Sequence, residues 1–386
     1  MTSERGVSLL ELVVAMALTL AIAASVFAMM RAGWSGAAAE PETADMQQRL
    51  RVAAGTITRE MLVAGAGSSL GGQAAALVSA FPPVLPFRKG AVGADPAGTF
   101  RSDTVTLISV PATIAQTTLR ADAAPGAQML LVAPQPNCPA GLNVCGFAAG
   151  MTLLVYDETG NYDIVTVASV ADGSGEIGIT PRPADSFTTT YKAGSRIVEA
   201  QLRTYYMKTD AVTQIAQLMQ YDGSANPGIP VVDHVAGLRF EYFGEPRPPM
   251  LTAAGATYGP APPPAGVSTS RYPPGENCLF AADGAGVRSA RLPPLGADDS
   301  LSALTALQLT DGPWCPDDVA PNRWDADLLR IRTVVVTVRV ESALAALRGP
   351  AGPLFVHAGT SRGGATRAPD SEIRFQVTPR NLRVSR

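Results

Sequence analysis

The sequence predicts an α+β chain, a long N-terminal helix carried on an antiparallel β-sheet head. Two patterns predict it. An uncharged run from Leu12 to Met30 is followed by apolar residues at three- and four-residue intervals, and from Thr104 onward short segments alternate apolar with polar residues between turns. A third feature, a proline-rich stretch over 244–327, reads as a long insertion in the head.

The helix has two halves. The run from Leu12 to Met30 spans 19 residues, and at about 1.5 Å rise it is ~28 Å long, close to the hydrocarbon thickness of a bilayer. Residues 7–30 therefore read as a membrane half. Glu11 stands at its edge, and a carboxylate there is costly unless something pairs with it, which makes it a functional candidate. Arg31 to Glu40 is rich in Ala and Gly, and Pro41 either kinks the rod or starts its second half. From Thr43 the residues Met46, Leu50, Ala53, Ile57 and Met61 form one apolar stripe, so 31–66 reads as an amphipathic half that the glycine-rich stretch Gly65 to Gly72 ends.

The head, 67–386, is β-rich. Its strand candidates are Thr104–Val110, Gln128–Ala133, Met151–Tyr156, Tyr162–Val170, Arg196–Met207, Gln214–Tyr221, Val235–Phe243, Ile331–Val340 and Ile373–Val377. In Ile331–Val340 the residues Val334, Val336, Val338 and Val340 share one face, as in a strand with one face on the core and that face toward the helix. Polar turns such as Asp157-Glu158-Thr159-Gly160-Asn161 and Asp222-Gly223-Ser224 imply hairpins. Between Phe243 and Leu328 lie 14 of the 32 prolines, with Cys278, Cys315 and few alternating apolar residues. That stretch reads as an exposed insertion between neighbouring strands and the best candidate for a partner-binding surface.

The N-terminus resembles the class III signal of type IV pilins and pseudopilins. A polar leader ends in Gly6, ahead of the apolar run rather than after it, and Glu11 falls five residues beyond that glycine. The resemblance implies a leader of residues 1–6, cleavage by a prepilin peptidase between Gly6 and Val7, and methylation of the new amino terminus. It also implies an apolar helix that stays on the mature chain and a Glu11 that pairs with a neighbouring subunit's amine in the filament. Val7 departs from the usual phenylalanine.

A second resemblance is to PilW-type minor pilins. It rests on Thr204-Tyr205-Tyr206, Leu218 to Tyr221, Val231 to Tyr242 and the closing Phe375-Gln376-Val377-Thr378-Pro379-Arg380-Asn381-Leu382. It implies a minor pilin that primes or tips a pilus, with other minor pilins, the major pilin and an inner-membrane assembly platform as partners. The chain would cross the bacterial inner membrane once, hold its head in the periplasm and then enter the extracellular pilus. The alternatives are a minor pseudopilin of a type II secretion system and a pilus-displayed adhesin. Proximity of the prepilin and secretion genes separates the first two, and binding of the head to surfaces tests the third.

Composition excludes several other classes. A formal net charge of −3, with scattered arginines, provides no basic field for nucleic acid. The four cysteines favour Cys138–Cys145 and Cys278–Cys315 disulfides outside the cytoplasm, with loop closures contributing about 2.5 and about 4 kcal/mol. None has CxxC spacing, and the two histidines, His234 and His357, are distant, so no zinc site is read. Neither histidine completes a nucleophilic triad and no cofactor motif is present, so the chain reads as a structural subunit rather than an enzyme. Asp317, Asp318, Asp325 and Asp327 form a weak calcium candidate, and Asp157, Asn161 and Asp163 a weaker one.

Overall fold

A computed structural model describes residues 8–69, 76–92, 101–135, 138–181, 189–224, 228–283, 285–296, 299–345, 348 and 370–382, with backbone only for 31–39. Helix α1 runs unbroken over Leu9–Val63, 55 residues, with Pro41 inside it. The proline neither ends nor restarts the helix: its locked φ of about −65° is itself helical, although it lacks the donor and its ring crowds the preceding turn. The stripe Met46, Leu50, Ala53, Ile57 and Met61 is buried throughout.

Two devices end α1. Gly65 turns out of it with φ +82°, and a Cβ there would lie 2.9 Å from Leu382 Cδ2. Asn381 Nδ2 donates to the carbonyls of Val63 (3.3 Å) and Ala64 (3.4 Å), satisfying acceptors that a helix end leaves open. The closing Pro-Arg-Asn-Leu motif is thus a cap on the helix from the far end of the chain.

Strands follow in order: β1 Val84–Pro86, β2 Val105–Ser109, β3 Gln116–Thr118, β4 Met129–Leu131, β5 Thr152–Tyr156, β6 Tyr162–Ala171 and β7 Glu176–Pro181. Next come β8 Arg196–Glu199, β9 Gln201–Thr209, β10 Ala216–Tyr221, β11 Ile229–Asp233 and β12 Val235–Gly244. Short strands β13 Leu251–Thr252, β14 Gly255–Ala256, β15 Phe280–Ala282, β16 Arg288–Ala290, β17 Ser302–Leu304, β18 Trp314–Cys315 and β19 Trp324–Asp325 precede the long β20 Ile331–Val340 and β21 Ser371–Val377.

The strands make three main sheets. One is β1-β2-β9-β10-β11, a second β17-β12-β20-β21 and a third β3-β8-β5-β6-β7-β4. Every pair given a register is antiparallel. In the third sheet a Leu119↔Val132 bridge joins the ends of β3 and β4, with Arg120 N donating to Leu131 O and Ala133 N to Thr118 O. These bonds close the six strands into a barrel, which removes its edges. The barrel has its own core, including Leu130, Leu153, Val165, Ile177, Tyr191 and Ile197. It is inserted whole between β2 and β9, which pair directly from Val105↔Tyr205 to Ser109↔Gln201.

The proline-rich stretch differs from the exposed loop expected of it. It holds three small ladders, β13-β14, β15-β16 and β18-β19, and β17 adds to the edge of β12 through Tyr242↔Leu304. Tyr258, Leu279, Phe280, Leu292, Leu309 and Trp324 are buried, and Arg330, fully buried, donates to the carbonyls of Glu245, Pro246 and Pro293. The prolines bend the chain between anchors rather than hold it off the head. The chain also carries Cys138–Cys145 and Cys278–Cys315 disulfides.

Strand β20 is buried on both faces rather than one. Beside the valine face, Ile331, Thr333, Val335 and Arg339 are buried too, and Thr337 alone in the strand is partly open. Its interior position between β12 and β21 accounts for this.

Two compact units divide the chain, Met1–Arg51 with Arg339–Glu372, and Val52–Val338 with Ile373–Arg386. In the first unit hydrogen bonds join the helix to the later segment, Ala343 N donating to Glu42 Oε1 and Arg49 Nη1 to Glu341 O at 3.5 Å. Arg49 also pairs with Asp45 within the helix, and within the later segment Arg348 meets Glu341 at 3.1 Å and Arg339 Nε donates to Asp370 at 2.8 Å. The barrel and the sheets belong to the second unit, apart from residues 339–340 of β20 and 371–372 of β21.

Candidate functional site

The first half of α1 is the site the sequence singles out. Leu9–Met30 is 22 residues of mean hydropathy 2.5, none of it buried, and long and apolar enough to cross a membrane. Leu9 is 80% exposed, Phe27 71% and Met29 78%. Such a surface fits a membrane anchor, since burial away from water stabilises each large apolar side chain by about 1.5–3 kcal/mol.

Three polar side chains lie in this span, and all are satisfied within the helix. Thr19 Oγ1 donates to Ala15 O and Ser25 Oγ to Ile22 O, each at 2.7 Å. Back-bonding of this kind is what a hydrocarbon surrounding demands. Glu11 Oε2 accepts from Ser8 N at 3.0 Å, while Ser8 Oγ accepts from Leu10 N at 3.3 Å. Ser8-Leu9-Leu10-Glu11 is therefore a capping box, with the serine just before the helix and the glutamate in its first turn. The signal, Ser-x-x-Glu ahead of an apolar run, is legible in the sequence. It gives Glu11 a role within its own chain and holds its carboxylate at the positive end of the helix dipole. Gly6 and Val7 lie outside the described residues.

No family model, characterised protein or solved structure matches the chain.

The calcium candidate does not assemble. Asp317 Oδ1 accepts from Val319 N (3.1 Å) and Ala320 N (3.0 Å), Oδ2 accepts from Arg271 N (3.1 Å), and Asp318 is exposed. Asp325 points inward, taking Gly312 N at 2.6 Å and Asp327 N at 2.8 Å as the cap of the 3-10 turn Ala326–Arg330. Asp327 pairs with Arg330 at 2.6 Å. Burial raises Asp325 to about 8 and Asp327 to about 6, and it pulls the nearby Arg332 guanidinium down to about 10. Two of the four acids thus serve a loop and two are built into the core. Among the described residues no group of three or more His, Cys, Asp or Glu is placed to hold a metal ion.

The weaker set separates in the same way. Asp157 Oδ1 accepts from Thr159 N (2.8 Å) and Asn161 N (3.2 Å), closing the β5–β6 turn. Asp163 is buried on β6, two residues beyond it. His234 sits with φ +57° at the corner between β11 and β12, and His357 lies outside the described residues.

Proposed function

We propose that the chain is a type IV pilin-like protein, a PilW-type minor pilin that is a structural subunit of a priming or tip complex. The observation that carries this reading is the single 55-residue helix, with no residue buried over the apolar span Leu9–Met30 and one stripe buried from Met46 to Met61. One end of such a helix is built for lipid or a helical filament core, and the other for a folded head. The two disulfides fit a head outside the cytoplasm. Its partners are a prepilin peptidase, the other pilins and an inner-membrane assembly platform. The protein is inserted in the inner membrane before it joins the pilus.

Glu11 has two roles to separate, capping its own helix and pairing with a neighbour's amine. A cap contributes about 1 kcal/mol and leaves the negative charge in place. A charge carried into an apolar core costs about 2.5–3.5 kcal/mol, so assembly demands a counter-charge. Gln serves a capping box as Glu does but carries no charge. Glu11→Gln in a strain lacking the gene should insert normally yet fail to restore pili in sheared-filament preparations, while Ser8→Ala should restore them. Full piliation by Glu11→Gln would reduce Glu11 to a cap and remove the pairing role.

A further inference from the structure

Where the barrel meets the loop that follows Cys315, the head has a cleft of about 290 Å³. Its floor is Asp163 from β6 and Asn322 from the loop. Asp163 is 1% exposed, Tyr191 donates its hydroxyl to Oδ2 at 3.0 Å, and Asn322 Nδ2 donates to Oδ1 at 2.8 Å and to Tyr162 O at 3.0 Å. Asn161, Thr189, Thr269 and Asp317 stand around the floor, and Pro316, Val319 and Pro321 add apolar wall. The two halves come from the two stretches inserted between neighbouring strands, 110–200 between β2 and β9 and 245–330 between β12 and β20.

The lining selects the ligand chemistry. Among the described residues it contains two carboxylates and no Lys, Arg or His, which disfavours phosphates and carboxylates. Its acids do not converge in the groups of three that hold a metal among the described residues. It offers no aromatic cage for an ammonium ion, since Tyr162 stacks on Phe81 at 4.7 Å and the Tyr191 ring is wholly buried. Carboxylate, amide and hydroxyl groups set against proline and valine suit a molecule with hydroxyls on its rim and C–H on its faces. The volume is at the small end of the roughly 300–1,000 Å³ of small-molecule sites, room for one ring.

We propose that this cleft binds a single neutral, hydroxyl-bearing ring, a monosaccharide unit. The test uses the full chain in phospholipid nanodiscs, because a maltoside detergent would itself compete. Glucose, galactose, mannose and N-acetylglucosamine are the probes, read by saturation-transfer NMR and equilibrium dialysis. At least one should bind saturably. Thr269→Trp, which plugs the cleft from an exposed position, should weaken that binding roughly tenfold or more. A circular-dichroism melt unchanged from wild type confirms that the plugged variant is folded. The proposal is overturned by no saturable binding of any of the four, by binding that Thr269→Trp leaves unchanged, or by equal displacement with inorganic phosphate or choline.

Discussion

Asp325 makes the head more stable in mild acid than at neutral pH. Its carboxyl is fully buried, and burial holds it at about 8, against about 3.9 for an unfolded aspartate. The folded state therefore keeps a proton through a pH range in which the unfolded chain has released it. Its stabilising contribution is full below about pH 4 and is lost as pH rises through 8. Linkage over that interval gives a loss of about 3.5 kcal/mol between pH 5 and pH 8, with Asp327 at about 6 adding to the slope at the acid end. For a chain of 386 residues, that is a fall in melting midpoint of roughly 4–5 °C. Tryptophan fluorescence is the assay, because in the β18-β19 ladder Trp314 pairs with Asp325 and Trp324 pairs with Cys315. Asp325→Asn removes the titrating group and leaves an acceptor for the Asp327 amide, so its melt should vary much less over this range. A wild-type midpoint that is flat or rises from pH 5 to pH 8, or an equal slope in Asp325→Asn, would refute the reasoning.

Two further predictions concern packing. Deleting Pro246–Arg323 and closing the gap with a short turn should abolish a cooperative melt, because Tyr258, Leu279, Phe280, Leu292, Leu304 and Leu309 leave the core together. Six such side chains carry on the order of 10 kcal/mol, comparable with the whole stability of a domain, and a cooperative melt of the shortened chain by circular dichroism would contradict it. Ile57→Ala, at a fully buried position of the helix stripe, should cost about 2–5 kcal/mol in a denaturant titration, while Val52→Ala, 44% exposed on the same helix, should cost less than about 0.5. Equal costs would mean that the stripe is not the packed face.

The most legible parts of the fold are those with a period. The helix stripe and the long strands β5, β6, β12 and β20 each repeat apolar residues often enough to declare their element. The barrel is not legible, because its closure depends on Leu119 meeting Val132 across a turn. Its β7, Glu176-Ile-Gly-Ile-Thr-Pro181, also carries the glycine and proline that argue against a strand. Arg196–Met207 reads as one strand but divides at Ala200, with β8 in the barrel and β9 in another sheet, and no local signal marks a change of partner. The proline-rich stretch hides its buried residues for a related reason. Tyr258, Phe280 and Trp324 are single anchors between turns, and single anchors have no periodicity. At the candidate site, Glu11 is conspicuous as a charge beside an apolar run, and Ser8 three residues before it completes a Ser-x-x-Glu signal that the sequence also carries. The four loop acids cluster in sequence, yet Asp325 and Asp327 turn inward where Asp317 and Asp318 do not.

The central claim is that the apolar helix stays on a processed, pilin-like subunit, and the mass of the mature N-terminus tests it most directly. Intact-mass and N-terminal peptide analysis of the membrane-extracted protein should find a chain beginning at Val7 with a methylated amine, and Gly6 replaced by a bulky residue should leave the full-length chain. A mature protein that begins beyond Met30, with the apolar helix removed, would contradict the account.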